Sequence, residues 1–213
     1  MQSSLLRSRQ VLLKWVMLGA IACAGLEPVQ AADNLPSRPK AGSQVALPGD
    51  SVYQLAAPMV DQNGHSFMLS ERRGQPVLVS MFYNSCQFVC PMLIDTLRST
   101  EQELSADERA NVSMLLITFD PARDDIKTLK SIAEKRDLDP ARWTLARTDA
   151  AAVRKIAATL GIQYRLLADG EYNHTTVLIL LDADGRVIGR TKKIGTTDPA
   201  FLKLVRQAAQ AAK

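Results

Sequence analysis

The stretch Cys86-Gln87-Phe88-Val89-Cys90-Pro91 sets two thiols four residues apart. On the first turn of a helix, positions i and i+4 share a face, so the two sulfurs are expected to converge. The positive end of the helix favours thiolates, which bind soft metals or attack disulfides. A stabilising disulfide is the plainer use of such a pair. Closing so small a ring, however, constrains the unfolded chain little, so stability is a poor motive for it. A metal would need at least a third ligand, and the chain has two histidines. His65 falls in the turn Gln62-Asn63-Gly64-His65 and reads as a solvated turn residue. His174 directly precedes an apolar run, Thr175 to Leu181. If that run is a strand beside the one leading to the cysteines, its first residues come within reach of the cysteine loop. Cys86, Cys90 and His174 then form a soft three-coordinate set suited to Cu(I), and to Cu(II) with a further weak ligand. Zinc would usually ask for a fourth ligand or a water. Met81 and Met92 fall at core spacing and are expected to fill the core.

The elements that must position these groups can be read from the apolar patterning. Val52 to Leu55 and Met59-Val60 predict short strands, and Asp61 to Gly64 a turn into Ser66 to Leu69. Pro76 to Tyr83 and Val112 to Phe119 are nearly continuous apolar runs, the pattern of strands buried on both faces of a sheet. A helix is expected from Pro91 onward, with proline in its favoured first turn. A second helix follows the polar loop Asp120 to Asp124, with Ile126, Leu129, Ile132 and Ala133 on its apolar face. Beyond Trp143 to Leu145, Asp149 is the expected N-cap of a helix from Ala150 to Leu160 that Gly161 ends. Thr175 to Leu181 predicts a third apolar strand. The turn Asp182-Ala183-Asp184-Gly185 returns it as a hairpin through Arg186 to Arg190, and Asp198-Pro199 opens a last helix. Apolar strands alternating with helices predict an α/β fold, a three-layer sandwich with an extra N-terminal β-hairpin. Cys86 then sits at the carboxyl edge of the sheet, the usual place for chemistry in such folds.

The remaining cysteine belongs to the leader. The chain has 213 residues, three cysteines, and 26 Lys plus Arg against 22 Asp plus Glu. Residues 1–14 carry Arg7, Arg9 and Lys14 and no acid; Trp15 to Leu26 is an uncharged apolar run of 12 residues; Val29-Gln30-Ala31 supplies small residues for cleavage. That order is a secretory signal peptide over residues 1–31, and the run is short for an anchor, which needs about 20 apolar residues. An uncleaved anchor and a lipoprotein modified at Cys23 are the alternative readings. Removal of the leader takes Cys23 with it, leaves 182 residues and lowers the net charge from +4 to +2. Residues 32–49 read as a flexible lead rich in Pro, Ser and Gly, and 50–213 as one domain. So small a charge, no basic block and eleven aromatic residues argue against nucleic acid as a partner.

Several of these segments together resemble the Sco/SenC family, thioredoxin-fold proteins of the periplasm and the mitochondrial intermembrane space. They are Val77 to Pro91, Thr118-Phe119-Asp120-Pro121-Ala122-Arg123-Asp124, Asn173-His174-Thr175-Thr176 and Asp182 to Arg186. The resemblance runs from about Met59 to Phe201. It implies a thioredoxin-like fold with a central mixed sheet, a periplasmic location, and copper bound by Cys86, Cys90 and His174. It also implies that Asp120 lies beside the metal. The partner it implies is the copper subunit of cytochrome c oxidase, or another copper acceptor, whose dinuclear site the protein would load with copper or reduce. A periplasmic thioredoxin-like reductant is a further expected partner. The membrane enters only if the leader is retained. The chain departs from the family's usual pattern at Gln87, where proline is common, at Asn84-Ser85, and at Asn173, where an acid often stands.

The rival reading is a thiol–disulfide oxidoreductase using Cys86 and Cys90 as attacking and resolving thiols. Enzymes of the thioredoxin type resemble one another in a two-residue spacer and a proline before the third strand. This chain has a three-residue spacer and no proline between Pro140 and Pro199, and His174 stands in that region. A peroxiredoxin pattern is absent before both cysteines.

Overall fold

A computed structural model describes residues 46–86 and 88–212. The leader, Cys23 and most of the lead lie outside the described residues, which fall within one compact unit, Val45–Lys213.

A central pair of strands organises the fold. β3 (Val77–Phe82) runs parallel to β4 (Ser113–Thr118) through six register pairs, from Val77 opposite Ser113 to Phe82 opposite Thr118. Every residue of both strands is buried. Only a sheet covered on both faces can bury both side-chain sets, so their uninterrupted apolar sequence and the layered architecture have one cause. β5 (Trp143–Arg147) extends the parallel part beside β4. The hairpin of β1 (Pro58–Asp61) and β2 (Ser66–Met68) adds two antiparallel strands outside β5. On the other side, β8 (Leu178–Leu181) pairs antiparallel with β3, and β9 (Val187–Thr191) closes that edge. The sheet order is therefore β2-β1-β5-β4-β3-β8-β9, mixed and seven-stranded. A separate two-stranded sheet joins β6 (Tyr164–Leu166) to β7 (Tyr172–His174).

Helices cover the faces. α1 (Val89–Gln102), α3 (Ile126–Lys135) and α5 (Pro199–Ala211) are tied to one another at their flanks. Arg136 pairs with Asp95 at 2.7 Å, and Arg206 Nη2 donates to the Glu103 carbonyl at 2.7 Å. α2 (Ala106–Ala110) is a short turn held by a capping box between Ser105 and Glu108. α4 (Ala150–Leu160) begins at the Asp149 cap and ends at Gly161, whose φ of 65° is the left-handed conformation that glycine adopts without strain. The expected three-layer sandwich with its N-terminal hairpin is thus the observed architecture.

The structure corrects several local expectations. Val52–Gln54 is a 3-10 turn, because the Ser51 hydroxyl accepts the Tyr53 amide and Tyr53 packs against the Asp182–Gly185 turn. α1 starts at Val89, so Pro91 occupies its third position, where an amide hydrogen would still lack a helical partner. The strand expected from Thr175 is confined to Leu178–Leu181. Before it, Val177 gives its carbonyl to Ser80 Oγ at 2.7 Å, and the Thr175 amide bonds Gln163 across the base of the small sheet. Met81 is buried in the core as expected, but Met92 is 46% exposed on α1 and does not fill it.

Gln62, a turn residue by sequence, is buried and extends the β1–β5 pairing with its side chain. Its Nε2 donates to the Trp143 carbonyl at 3.0 Å, and its Oε1 accepts the Leu145 amide at 2.9 Å. Gln62→Ala would leave two buried backbone groups of β5 without partners, and is expected to cost about 2–4 kcal/mol. Urea unfolding of the variant beside the native protein measures this; an unchanged midpoint would mean that water replaces the amide.

Candidate metal centre

The site is assembled where β3 and β4 end. Past Phe82 the chain is sewn to the loop after β4: the Phe119 amide donates to the Phe82 carbonyl at 2.9 Å. The Asn84 amide donates to Asp124 Oδ2 at 3.1 Å, and the Thr118 hydroxyl donates to the same oxygen at 2.5 Å. Burial pushes the Asp124 carboxyl above its ordinary range, against these two hydrogen bonds. This fixed turn delivers Cys86 to the N-terminus of α1, with Cys90 in the helix's first turn.

Cys86 lies before the helix rather than on it. The expected convergence of the sulfurs nonetheless occurs, because the Cys90 amide donates to Cys86 Sγ at 3.3 Å. Both cysteines are free and buried. The thiolate-favouring effect expected of the helix end does not govern Cys90. Burial pushes its thiol well above the ordinary range, and a hydrogen bond from the Tyr83 backbone offsets this only in part. The helix-terminal amide is spent on Cys86 instead.

His174 closes the set. It ends β7, directly before the stretch leading into β8, whose antiparallel run beside β3 brings its first residues to the same sheet edge. The ligand atoms of Cys86, Cys90 and His174 all lie within 4.8 Å of one another, the one such group of three among the described residues. Two bonds of about 2.3 Å to one ion span at most about 4.6 Å, so little contraction would seat a metal among them. His174 is half-buried, and burial lowers its pKa, which keeps the imidazole neutral and able to ligate. Its Nδ1 has one weak protein neighbour, the Thr175 carbonyl at 3.4 Å.

Aromatic rings hold the imidazole instead. Tyr83 meets it edge-on with centroids 5.6 Å apart, and Phe119 lies tilted at 5.0 Å. Tyr172 in turn packs on both of those rings at 5.2 and 5.0 Å. Asp120 is buried and ion-paired with Arg123, whose guanidinium sits 5.5 Å over the Tyr172 ring. Asp120 and Arg123 both act on Tyr172, the ring that packs on Tyr83 and Phe119. Beside Cys86, Ser85 Oγ is buried without a hydrogen-bond partner. The rim carries two exposed apolar side chains, Phe88 and Met92. His65 is a solvent-facing turn residue, 3.2 Å from Asp61, far from the cysteines in the fold's hairpin edge.

The β6–β7 sheet and its aromatic ring cluster escaped the reading of the sequence. The Asp169-Gly170 pair between two short aromatic-bearing runs is a hairpin signal that could have revealed them.

Comparison with known proteins bears on what this centre holds. Residues 52–209 match the SCO1/SenC family. A protein of Stutzerimonas stutzeri provisionally named as copper-binding is 25% identical over 138 residues, covering 63% of this chain and 66% of its own. The SCO2-like protein of Rickettsia typhi is 30% identical over 96 residues, 45% of this chain and 46% of its own. The chain thus spans about two thirds of the first relative and under half of the second. Among solved structures, Bradyrhizobium japonicum ScoI with copper bound superposes with a TM-score of 0.57 at 24% identity, over 71% of this chain and 96% of that one. Yeast Sco1 with copper bound gives 0.61 at 18% identity, over 73% and 87%. At these identities the structural likeness establishes the fold.

The lowered pKa of His174 has a consequence for stability. Below about pH 6.5 the unfolded chain binds a proton that the folded imidazole resists, so the metal-free protein loses stability as pH falls through that range. The urea midpoint should drop between about pH 7.5 and 5.5, and drop less in His174→Asn. Equal slopes would show that the imidazole titrates alike in both states.

Proposed function

The chain belongs to the SCO1/SenC family, and from that premise we propose that it is an exported copper-binding protein that carries the ion on Cys86, Cys90 and His174 and passes it to an acceptor. The observation that carries this reading is the convergence of two sulfurs and one imidazole nitrogen within 4.8 Å in a buried setting. Two thiolates and an imidazole are soft donors in low coordination, which suits Cu(I) above zinc and the hard cations. Relatives with copper in their names or structures support the same ion.

Copper is cargo in this scheme. The thiols must lose their protons as the ion enters, so loading is coupled to proton release and requires both cysteines reduced. Asp120 acts at one remove, neutralised by Arg123 and steadying Tyr172 against the ring that abuts His174. The acceptor that the family suggests is the dinuclear copper site of cytochrome c oxidase. The setting would be the periplasm, reached through the leader.

One observation favours a second activity at the same residues. Cys86 alone receives a helix-terminal amide, while burial keeps Cys90 protonated. That asymmetry suits Cys86 to attack a disulfide, forming a mixed disulfide that Cys90 then resolves, with two electrons passing to the substrate and both cysteines left oxidised. A periplasmic thioredoxin-like reductant would restore the thiols.

Titration of the reduced protein with Cu(I) in competition with a chelator tests the carrier role. One ion per chain is expected. Cys86→Ser, Cys90→Ser and His174→Ala should each weaken binding by more than the roughly 10–100-fold that loss of a supporting contact costs a metal site. Tight binding indifferent to His174→Ala would sink the three-ligand scheme. Robust insulin reduction by the metal-free protein, undisturbed by the same change, would make reductase the primary role.

A further inference from the structure

The third ligand is carried on a different kind of element from the other two. Cys86 and Cys90 are fixed by the end of β3 and the start of α1. His174 ends the β6–β7 hairpin, which has three residues to each strand and no ladder to the main sheet. A lone two-stranded hairpin is marginal in water, so its position depends on side-chain attachments to the body.

Phe119 packs on Tyr164, Tyr172 and His174, and Tyr83 adds both ring contacts and hydrogen bonds. Tyr83, three positions before Cys86 and 4% exposed, donates its hydroxyl hydrogen to Glu171 Oε2 at 2.8 Å. The Tyr83 hydroxyl oxygen in turn accepts the Tyr172 amide at 3.4 Å. Its ring packs against Tyr172 and His174. Glu171 leads into β7, and its carbonyl accepts the Leu167 amide at 2.8 Å across the hairpin turn. The Tyr83–Glu171 bond therefore joins the cysteine-bearing edge to the hairpin three residues from His174. A phenylalanine would pack the same ring surface; only the hydroxyl reaches Glu171.

We infer that Tyr83 and Glu171 form a clasp that holds the His174 hairpin closed over the cysteine pair, and that the hairpin is the moving part of the site. Opening breaks the clasp and withdraws the imidazole, leaving the ion on two sulfurs open to an incoming ligand. Tyr83 and Glu171 are positioning residues, and the release step rests on the copper-carrier reading above.

Hydrogen–deuterium exchange on the reduced, metal-free full chain tests the clasp without copper. Loss of a hydrogen bond to a charged group should speed amide exchange in residues 164–174 by about tenfold or more in Tyr83→Phe and Glu171→Ala. Glu171→Gln, which keeps an acceptor oxygen, should restore most of the protection, while β3 and β4 stay unchanged in all three. Unchanged exchange in Tyr83→Phe and Glu171→Ala would overturn the clasp. Release of Cu(I) to excess chelator should quicken by a similar factor, with one ion per chain still bound beforehand. Faster exchange with unaltered release would overturn the hairpin as the moving part. If His174→Ala leaves copper affinity intact, the three-ligand reading fails on its own, and the exchange result still decides the clasp.

Discussion

The parallel pairing of Val77–Phe82 with Ser113–Thr118 is the constraint on which the rest of this molecule depends. Because both strands are buried on both faces, their register cannot slip by one residue without exchanging every contact in the core. Their carboxyl ends are therefore fixed side by side, and the chain must leave both at one edge. The Asp124 carboxylate uses that proximity, taking the Asn84 amide from one loop and the Thr118 hydroxyl from the other strand. The antiparallel β8 runs the opposite way along β3, so its beginning meets their ends. Three distant parts of the sequence thus reach one small volume for reasons of sheet geometry alone.

Burial then sets the electrostatics of that volume. Two ionised thiols side by side would place two negative charges where water is scarce, and Cys90 answers by holding its proton. A monovalent copper ion bound by two thiolates and a neutral imidazole leaves a single net negative charge, a smaller desolvation cost than two bare thiolates. The nearby acid Asp120 is partly offset in that sum by the Arg123 guanidinium paired with it. The site is therefore tuned so that proton and ion compete for the same sulfurs. A harder, divalent ion would gain from the charge but would forgo the oxygen ligands it prefers.

What could be read from the sequence was whatever a short periodicity or a fixed spacing encodes. The apolar runs of β3 and β4, the Asp149 cap, the Gly161 stop and the Asp198-Pro199 start all express local rules, and each stands where those rules place it. The cysteine pair and His174 were legible for the same reason, the latter through its place before an apolar strand. Gln62 was not, because its role is to complete a ladder with a partner 81 residues away. Met92 was not, because the loop around Gly195 meets α1 there and the helix turns that methionine outward to its rim. The β6–β7 hairpin is too short for any period to establish itself. Its stability comes from Tyr83, Phe119 and Tyr172, whose rings are scattered over 90 residues of sequence and meet only after folding.

The placement of the three donors also bears on rate. An ion held by three groups on one rigid element would leave only when all three bonds loosened together, and a carrier built that way would be a trap. Here the sulfurs are anchored to the core through β3 and α1, while the imidazole rides on a hairpin secured by ring packing and the Tyr83 hydroxyl. Local opening draws on the least stable part of a structure, since it costs only the contacts that break. The hairpin can therefore open while β3, β4 and the cysteine loop keep their native contacts. In the proposed carrier, an incoming ligand would then meet the ion at a vacated third position, and exchange would proceed by substitution at one side. On that reading the sheet would supply affinity through its fixed sulfurs and the weakly attached hairpin would supply lability, so each property could be set without disturbing the other.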